Sequence, residues 1–357
     1  MRGWFLLAII IDHITYFPCG LEWLSARGGL YVTCAEGFFF ISGIVLGIIR
    51  GCRLIDKPFR EVAKLLLKRA MQLYIWSVFL TIVFTLITWN FYPAGAGAKP
   101  GVMSIDTPIW KMILSAFSLD YFYGWADYLR LYAIFMFISP LVFWLLRKGK
   151  WYVVVVVSLA VWSLFPSGQP WNIQEKIQPI SWQFIFFSGS IVGFYWNKIT
   201  EWWRSHPIKK RRATVRALCA IGGVTLAFNV LIMFSTMGND LSWLGIYDGM
   251  SSELYRKFFD KMRMPLSRFA LFLTWFWMFF NLFRRFEKQI IKYAGWILLP
   301  FGQNSLYVYT LHAFGVYFIH IYTNSGTWIQ NFAIVGGLIA IIWLMIRYKV
   351  LMKIIPR

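Results

Sequence analysis

Long blocks of apolar residues, separated by short polar segments, follow one another along the whole chain. A block of about 17–25 apolar residues is long enough to cross the hydrocarbon core of a bilayer as an α-helix. The pattern therefore predicts an all-α fold with ten transmembrane helices, in a single membrane-embedded domain over 1–357. The predicted spans are 3–18, 30–49, 70–91, 125–146, 151–166, 180–197, 217–235, 265–283, 303–322 and 328–346.

The basic residues lie mainly between these blocks and predict an orientation. With residue 1 in the cytoplasm, most of the 36 Lys and Arg residues fall in cytoplasmic segments, as the positive-inside bias requires. Both termini are then cytoplasmic, in a multi-pass protein of the inner (cytoplasmic) membrane. A further apolar segment, 294–301, is too short to cross and is predicted to be re-entrant or interfacial. The outer segments 92–124 and 236–264 contain stretches typical of short helices lying on the membrane.

Composition agrees with this class. The chain is 59% apolar and 14% charged, whereas soluble domains are nearer 45–50% apolar and about a quarter charged. A net charge of +21 would indicate nucleic-acid binding in a soluble protein. Here topology and anionic lipid headgroups account for the charge, so the expected partner is the lipid bilayer and not nucleic acid. The four cysteines lack metal-ligand spacing, and we expect neither a metal nor a bound cofactor.

Ionisable residues within the predicted spans mark a candidate site, because buried charge in a bilayer is costly and usually faces a cavity or the bundle interior. Arg2 and His13 are eleven residues apart, which places them on one helix face about 16 Å from each other. A cation at the cytoplasmic rim and an imidazole deeper in the membrane suit a long ligand with an anionic head. A topogenic arginine and a histidine that bonds a neighbouring helix would have the same spacing.

Two carboxylates are candidates to orient His13 as a general base. Glu36 lies near the outer end of the second span, level with His13 if the two helices are antiparallel neighbours. Asp12 adjoins His13, although adjacent helical residues point about 100° apart. The alternative for Glu36 is a protonated carboxyl that bonds another helix.

Two further pairs lie at helical spacing. Asp127 and Arg130 are three residues apart and are predicted to form a structural salt bridge. Ser305 and His312 are seven residues apart on one face of the ninth span. Either could stabilise an oxyanion, although a lone histidine at such a position is more often a packing residue.

Several motifs together resemble a known family. Arg2-X10-His13, followed by AEGFFFISG at 35–43, resembles the acyltransferase type 3 superfamily of membrane acyltransferases. More narrowly, the chain is similar to the OpgC branch, named for the succinyltransferase of osmoregulated periplasmic glucans. The other matching segments are KRAMQLY (68–74), DYLRLYAIFMFISPLVFWLLRKG (127–149), ISWQFIFFSGSIVG (180–193), DKMRMPLSRFALF (260–272) and GQNSLYVYTLHAF (302–314).

The resemblance implies an enzyme that moves an acyl group, such as acetyl or succinyl, from a cytoplasmic acyl-CoA to a hydroxyl of an extracytoplasmic glycan. By that likeness His13 is the catalytic base, and Arg2 with Lys68 and Arg69 binds the donor. The acyl group, the acceptor and the oligomeric state stay open. Residues at other matching positions are implied to line the pocket, namely Glu36, Asp127, Lys261, Arg268, Ser305 and His312.

Two other classes of function are compatible with buried ionisable residues. A carrier or flippase would use them as a proton relay. The sequence shows neither the internal repeat nor the paired Gly- or Pro-broken helices that mark many transporters. A catalytically silent homologue would instead act as an assembly or sensing subunit, and thioester turnover by the purified protein distinguishes it from an enzyme.

Overall fold

The computed structural model describes residues 1–92, 101–164, 178–247 and 249–355, and every regular element among them is helical. This confirms the predicted all-α class for the described part of the chain. The α-helices are α1 (Arg2–Ile14), α2 (Cys34–Leu46), α3 (Phe59–Phe91), α4 (Ile109–Phe117), α5 (Asp127–Arg147), α6 (Trp151–Ser163), α7 (Pro179–Phe194), α8 (Trp196–Ser205), α9 (Ile208–Ser235), α10 (Met250–Leu254), α11 (Leu266–Arg285), α12 (Glu287–Gln303), α13 (Ser305–Tyr322) and α14 (Trp328–Arg347).

Within the described ranges, six helices are long and apolar enough to cross a membrane. They are α2 with its continuation to Cys52, α3, α5, α9, α11 and α14. Helices α6 and α7 are apolar but have 13 and 16 residues. The structure therefore describes a multi-pass membrane protein, whereas the ten spans and the cytoplasmic position of both termini remain predictions.

The end of α1 and the starts of α3 and α9 differ from the predicted spans. Helix α1 ends at Ile14, short of the predicted residue 18, because Thr15 adopts a left-handed conformation at φ 58°. Helices α3 and α9 begin 11 and 9 residues before the predicted spans, at Phe59 and Ile208. Hydropathy detects only the apolar part of such a helix, whereas Lys and Arg are good helix formers that extend it beyond that part.

The short apolar segment 294–301 lies inside α12, and its re-entrant or interfacial position stays a prediction. Residues 165 and 166 of the predicted fifth span, and 93–100 and 248 of the outer segments, lie outside the described residues.

The chain divides into two compact units. The first comprises Met1–Ile41, Trp196–His312 and Ser325–Arg357, and the second comprises Ser42–Tyr195 and Ala313–Asn324. In the first unit α1 packs on α12, and α9 packs on α11; in the second, α3 packs on α5. The single domain over 1–357 stays a prediction.

Glycines allow very close helix packing in the second unit, where α2 and its continuation lie against α7. A methyl group on Gly43 would overlap the backbone at Phe186, and one on Gly47 would overlap the backbone at Ser190. From the other side, a methyl group on Gly193 would overlap the backbone at Ile44. Small residues at helix interfaces are typical of membrane proteins, because they let backbones approach one another.

Replacing Gly47 by alanine is expected to lower the stability of the protein by about 1–3 kcal/mol, because the added methyl group meets backbone atoms and forces α2 and α7 apart. The thermal unfolding midpoint of the purified protein in detergent measures this effect. Gly223→Ala in α9 is the matched control, since a methyl group there has open space around it. Equal midpoints for the two variants would contradict the packing argument.

Candidate functional site

The candidate site forms where α1 lies beside the segment that ends α12 and begins α13. A methyl group on Gly302 would approach the backbone nitrogen of Gly3 at 3.2 Å. Ten residues further along both segments, His13 meets His312, again at a separation of 299 residues in the chain. The constant separation shows that the two segments run parallel and in register. Because Gly3 and Gly302 have no side chains, the two backbones can approach each other closely. This approach brings the rings of His13 and His312 together.

The two histidines form a hydrogen-bonded pair. Nδ1 of His13 lies 3.0 Å from Nε2 of His312, and the ring centroids are 5.1 Å apart. On its far side, Nδ1 of His312 donates to the backbone carbonyl oxygen of Tyr309 at 2.6 Å. His312 is fully buried, whereas His13 is half-buried and keeps accessible surface. His312 is therefore a ring partner of His13, a role that the sequence did not assign to it.

Glu36 does not lie level with His13, the position predicted for it if the two helices were antiparallel neighbours. Gly37 packs on the ring of Phe5, which precedes His13 by eight residues, or about 12 Å of helix. The loop between the two helices folds back so that Gly28 lies beside Asp12, and α2 therefore begins further down the length of α1.

Both carboxylate oxygens of Glu36 are engaged by residues other than His13. Oε1 accepts hydrogen bonds from Arg268, including one from Nε at 2.7 Å. Oε2 accepts from the hydroxyl of Thr33 at 2.6 Å and from its backbone N–H at 3.1 Å. These contacts therefore do not orient the imidazole of His13. The catalytic role of Glu36 stays a prediction.

Arg268 completes a buried ion pair between α2 and α11. Its Nε and Nη2 donate to Glu36, and its Nη1 donates to the carbonyl oxygen of Phe259 at 2.5 Å. Both charged side chains are almost completely excluded from solvent, at 1% and 0% exposure. One turn along each helix, Phe40 packs edge-on against Phe272 with the same separation in sequence. The pair therefore links two parallel helices, and all three guanidinium nitrogens of Arg268 are used in that link.

Asp12 is half-buried and faces the loop that follows α1. Its carboxylate accepts a hydrogen bond from the hydroxyl of Ser25. Lys261 lies within electrostatic reach of Asp12 and of Cys34. Asp12 and His13 are thus engaged with different partners, although they are adjacent in the chain.

Glu22 holds this loop in place, outside the predicted spans. Its carboxylate accepts from the backbone N–H of Cys19 at 2.8 Å and from Arg27 at 3.0 Å. Burial alone would raise the pKa of Glu22, but these hydrogen bonds lower the pKa to about 2. Because folding lowers the pKa, the ionised carboxylate stabilises the folded loop at pH values above the ordinary carboxyl pKa. This contribution is lost progressively as the pH falls from there to about 2.

Arg2 and Ser305 lie at the other end of the two parallel segments. Arg2 is the first residue of α1, as its spacing from His13 requires, and its Cζ lies 5.4 Å from the ring centroid of Phe38. Nε of Arg2 is buried without a hydrogen-bond partner in the described part of the chain. Ser305 is the buried first residue of α13, two turns or about 10 Å before His312.

The sequence profile of the OpgC protein family matches residues 1–354, which is almost the whole chain. The chain belongs to the OpgC protein family. Membership indicates a transferase with an acyltransferase-like function in glucan modification. No curated protein and no solved structure matches the chain.

The second unit of this OpgC family protein contains the other predicted site residues. Lys68 is exposed, and Nη1 of Arg69 donates to Gln72 at 2.6 Å. Arg130 is fully buried, with its Cζ 4.5 Å from the ring centroid of Phe122. Asp127 begins α5 and accepts from the backbone N–H of the next residue at 2.8 Å. The salt bridge and the donor-binding roles stay predictions.

A cavity of about 270 Å³ lies along another face of α1 in the first unit of the OpgC family protein. Trp4 and Phe5 of α1 line one side, α11 contributes aromatic side chains, and the loop contributes Ser25. His13 is not among the lining residues, so this cavity alone is not a path to the imidazole. Among the described residues, no group of three or more His, Cys, Asp or Glu side chains is arranged to hold a metal ion.

The sequence of this OpgC family protein did not indicate Tyr309, Ser25 and Thr33 as partners of the site residues. Tyr309 acts through a backbone carbonyl, and only its position three residues before His312 on the same helix could have indicated it. Ser25 and Thr33 belong to the loop before α2, where no periodic pattern predicts which side chain turns towards which helix.

Proposed function

We propose that this protein is an O-acyltransferase of the inner membrane that moves an acyl group, acetyl or succinyl, from a cytoplasmic acyl-CoA to a hydroxyl of an extracytoplasmic glycan. The observation that carries the proposal is the hydrogen-bonded pair of His13 and His312, in a chain of the OpgC family. His13 keeps accessible surface, which a general base needs if it is to meet a substrate.

The proposed reaction is a direct transfer. The sugar hydroxyl gives its proton to Nε2 of His13 as its oxygen bonds to the thioester carbonyl carbon. The resulting tetrahedral intermediate then breaks its bond to sulfur, and the leaving CoA thiolate takes the proton from His13. The ring returns to its starting form, and the products are an ester and free CoA. No metal or bound cofactor takes part in the proposed reaction.

Arg2 supports the donor-binding half of the proposal. A cation at the N-terminus of a helix opposes the helix dipole, so Arg2 does not stabilise α1 by this interaction. Together with the unpaired N–H groups of the first helical turn it suits a phosphate group instead. The distance of about 16 Å along the helix to His13 suits a donor whose phosphates lie at one end and whose thioester lies at the other.

Arg2→Gln is expected to raise the KM for acyl-CoA by about ten- to a hundredfold with little change in kcat, because a charge-assisted hydrogen bond contributes about 1.5–3 kcal/mol to binding. Steady-state kinetics with purified protein measure both constants. Arg212→Gln removes the same charge from the exposed basic turn of α9 and is expected to leave both constants unchanged. An equal KM in the two variants would exclude Arg2 from donor binding.

A succinyl donor would bring a carboxylate to the reacting end, and Lys261 is the cation that we assign to it. Arg268 uses all three guanidinium nitrogens for Glu36 and Phe259. Lys261 instead lies within electrostatic reach of Asp12, the neighbour of His13.

The test of the proposed function combines purified protein with cells. Purified protein should release CoA from acyl-CoA when the glycan is present, and mass spectrometry should find the acylated glycan. Surface glycans from cells that lack the gene should lose the same acyl group. Transport that depends on the membrane potential, without an acylated product, would instead establish a carrier, and absence of thioester turnover would refute the enzyme.

A further inference from the structure

We infer that His312 is a positioning residue that holds His13 in the tautomer whose Nε2 accepts a proton. The inference rests on the proposed function for its catalytic consequence. Its structural basis is a chain of two hydrogen bonds, from His13 through His312 to the carbonyl oxygen of Tyr309.

The direction of this chain follows from what each atom can do. A carbonyl oxygen only accepts, so Nδ1 of His312 carries a hydrogen and donates it to Tyr309. Complete burial disfavours a charged ring at His312. A neutral imidazole carries one ring hydrogen, so Nε2 of His312 is an acceptor. The hydrogen in the 3.0 Å contact therefore belongs to Nδ1 of His13. Neutral His13 then has its basic lone pair on Nε2.

The surroundings of the two rings restrict His312 more than His13. His312 is fully buried, and the ring of Tyr309 packs edge-on against it at a centroid distance of 4.8 Å. Its hydrogen-bond acceptor is a main-chain atom of its own helix, one turn earlier. The orientation of His312 is thereby set by α13, and His13 must adapt to it.

The same contact serves both protonation states of His13. When His13 takes the substrate proton on Nε2, it becomes an imidazolium whose Nδ1–H still donates to His312. No bond in the chain has to reverse during the reaction. A buried neutral histidine thus does for His13 what a carboxylate does for the histidine of a Ser-His-Asp triad, which is to select the tautomer.

The test reads the tautomer directly, by nitrogen NMR of protein labelled at its histidines. The chain has four histidines, so His206→Gln and His320→Gln assign the two that lie outside the pair. We expect His13 in the wild-type protein to be in the Nδ1–H form. A wild-type spectrum with the hydrogen on Nε2 would overturn the inference.

Two substitutions of His312 add a kinetic readout. His312→Leu removes the acceptor, and we expect a loss of the single His13 tautomer and a fall in kcat of about a hundredfold with the KM for acyl-CoA unchanged. His312→Gln places an amide oxygen near the position of Nε2, so it should restore the tautomer and much of kcat. If leucine leaves both readouts unchanged, or if glutamine restores neither, His312 does not position His13.

The two proposals fail in different ways. Wild-type protein with the Nδ1–H form but no thioester turnover would refute the proposed function and leave the ring arrangement intact. Active protein whose His13 tautomer does not respond to His312→Leu would refute the positioning role and leave the acyltransferase intact.

Discussion

Replacement of His13 by alanine is expected to lower the rate of acyl transfer by at least about a hundredfold, because a positioned general base contributes about 10²–10⁴ to a rate. Both ring nitrogens are lost, so neither the contact to His312 nor the proton acceptor remains. The measurement is CoA release by purified protein at saturating acyl-CoA and glycan. Wild-type turnover in the variant would refute His13 as the catalytic base.

The control for this substitution must remove a histidine without touching the pair. His206 follows α8, and its Nδ1 lies 2.9 Å from the carbonyl oxygen of Trp202. His206→Ala is expected to retain wild-type turnover. Because His13→Ala leaves the buried His312 without this partner, its amount in the membrane and its unfolding midpoint are measured beside its activity. A well-inserted but inactive variant is the expected outcome.

The second large effect concerns the buried ion pair. Glu36→Gln is expected to lower the free energy of unfolding by about 3–5 kcal/mol, because it leaves the charge of Arg268 buried and uncompensated. Denaturant titration in detergent micelles measures this loss. The control is Arg263→Gln, which breaks a pair of 3.7 Å whose arginine side chain is 63% exposed. Such exposed pairs contribute about 0–1 kcal/mol.

A double substitution separates the structural from the catalytic role of Glu36. Glu36→Gln with Arg268→Met removes both charges and should recover much of the stability, since replacing a buried pair by uncharged side chains is often neutral. If Glu36 acts only through this pair, the double variant regains acyl transfer. A stable double variant without turnover would instead show that Glu36 or Arg268 acts in the reaction itself, as the sequence predicts for both.

The sequence predicts the helical class well because hydropathy follows directly from burial in lipid. It also places Arg2 and His13 on one helix, since a spacing of eleven residues requires no knowledge of other elements. Helices α3 and α9 begin before the predicted spans because basic residues continue a helix without contributing hydropathy. Residue spacing within a helix is therefore predicted reliably from the sequence, whereas the residue at which a helix begins outside the apolar block is not.

Contacts between distant segments were beyond the reach of the sequence. The position of Glu36 along α1 relative to His13 depends on a loop that folds back beside α1. No pattern in residues 15–33 indicates the path of this loop. The partnership of His13 with His312 depends on Gly3 and Gly302, which look like ordinary helical glycines until the two backbones are brought together. Both features come from tertiary packing, which a single sequence does not specify locally.

The parallel register of α1 with the start of α13 has a consequence for biosynthesis. The two imidazoles are 299 residues apart in the chain. At an elongation rate of about 5–20 residues per second, His13 leaves the ribosome about 15–60 s before its partner. During that interval a helix of 13 residues with an acid and an imidazole near its end has to wait at the membrane, so the histidine pair forms late in assembly.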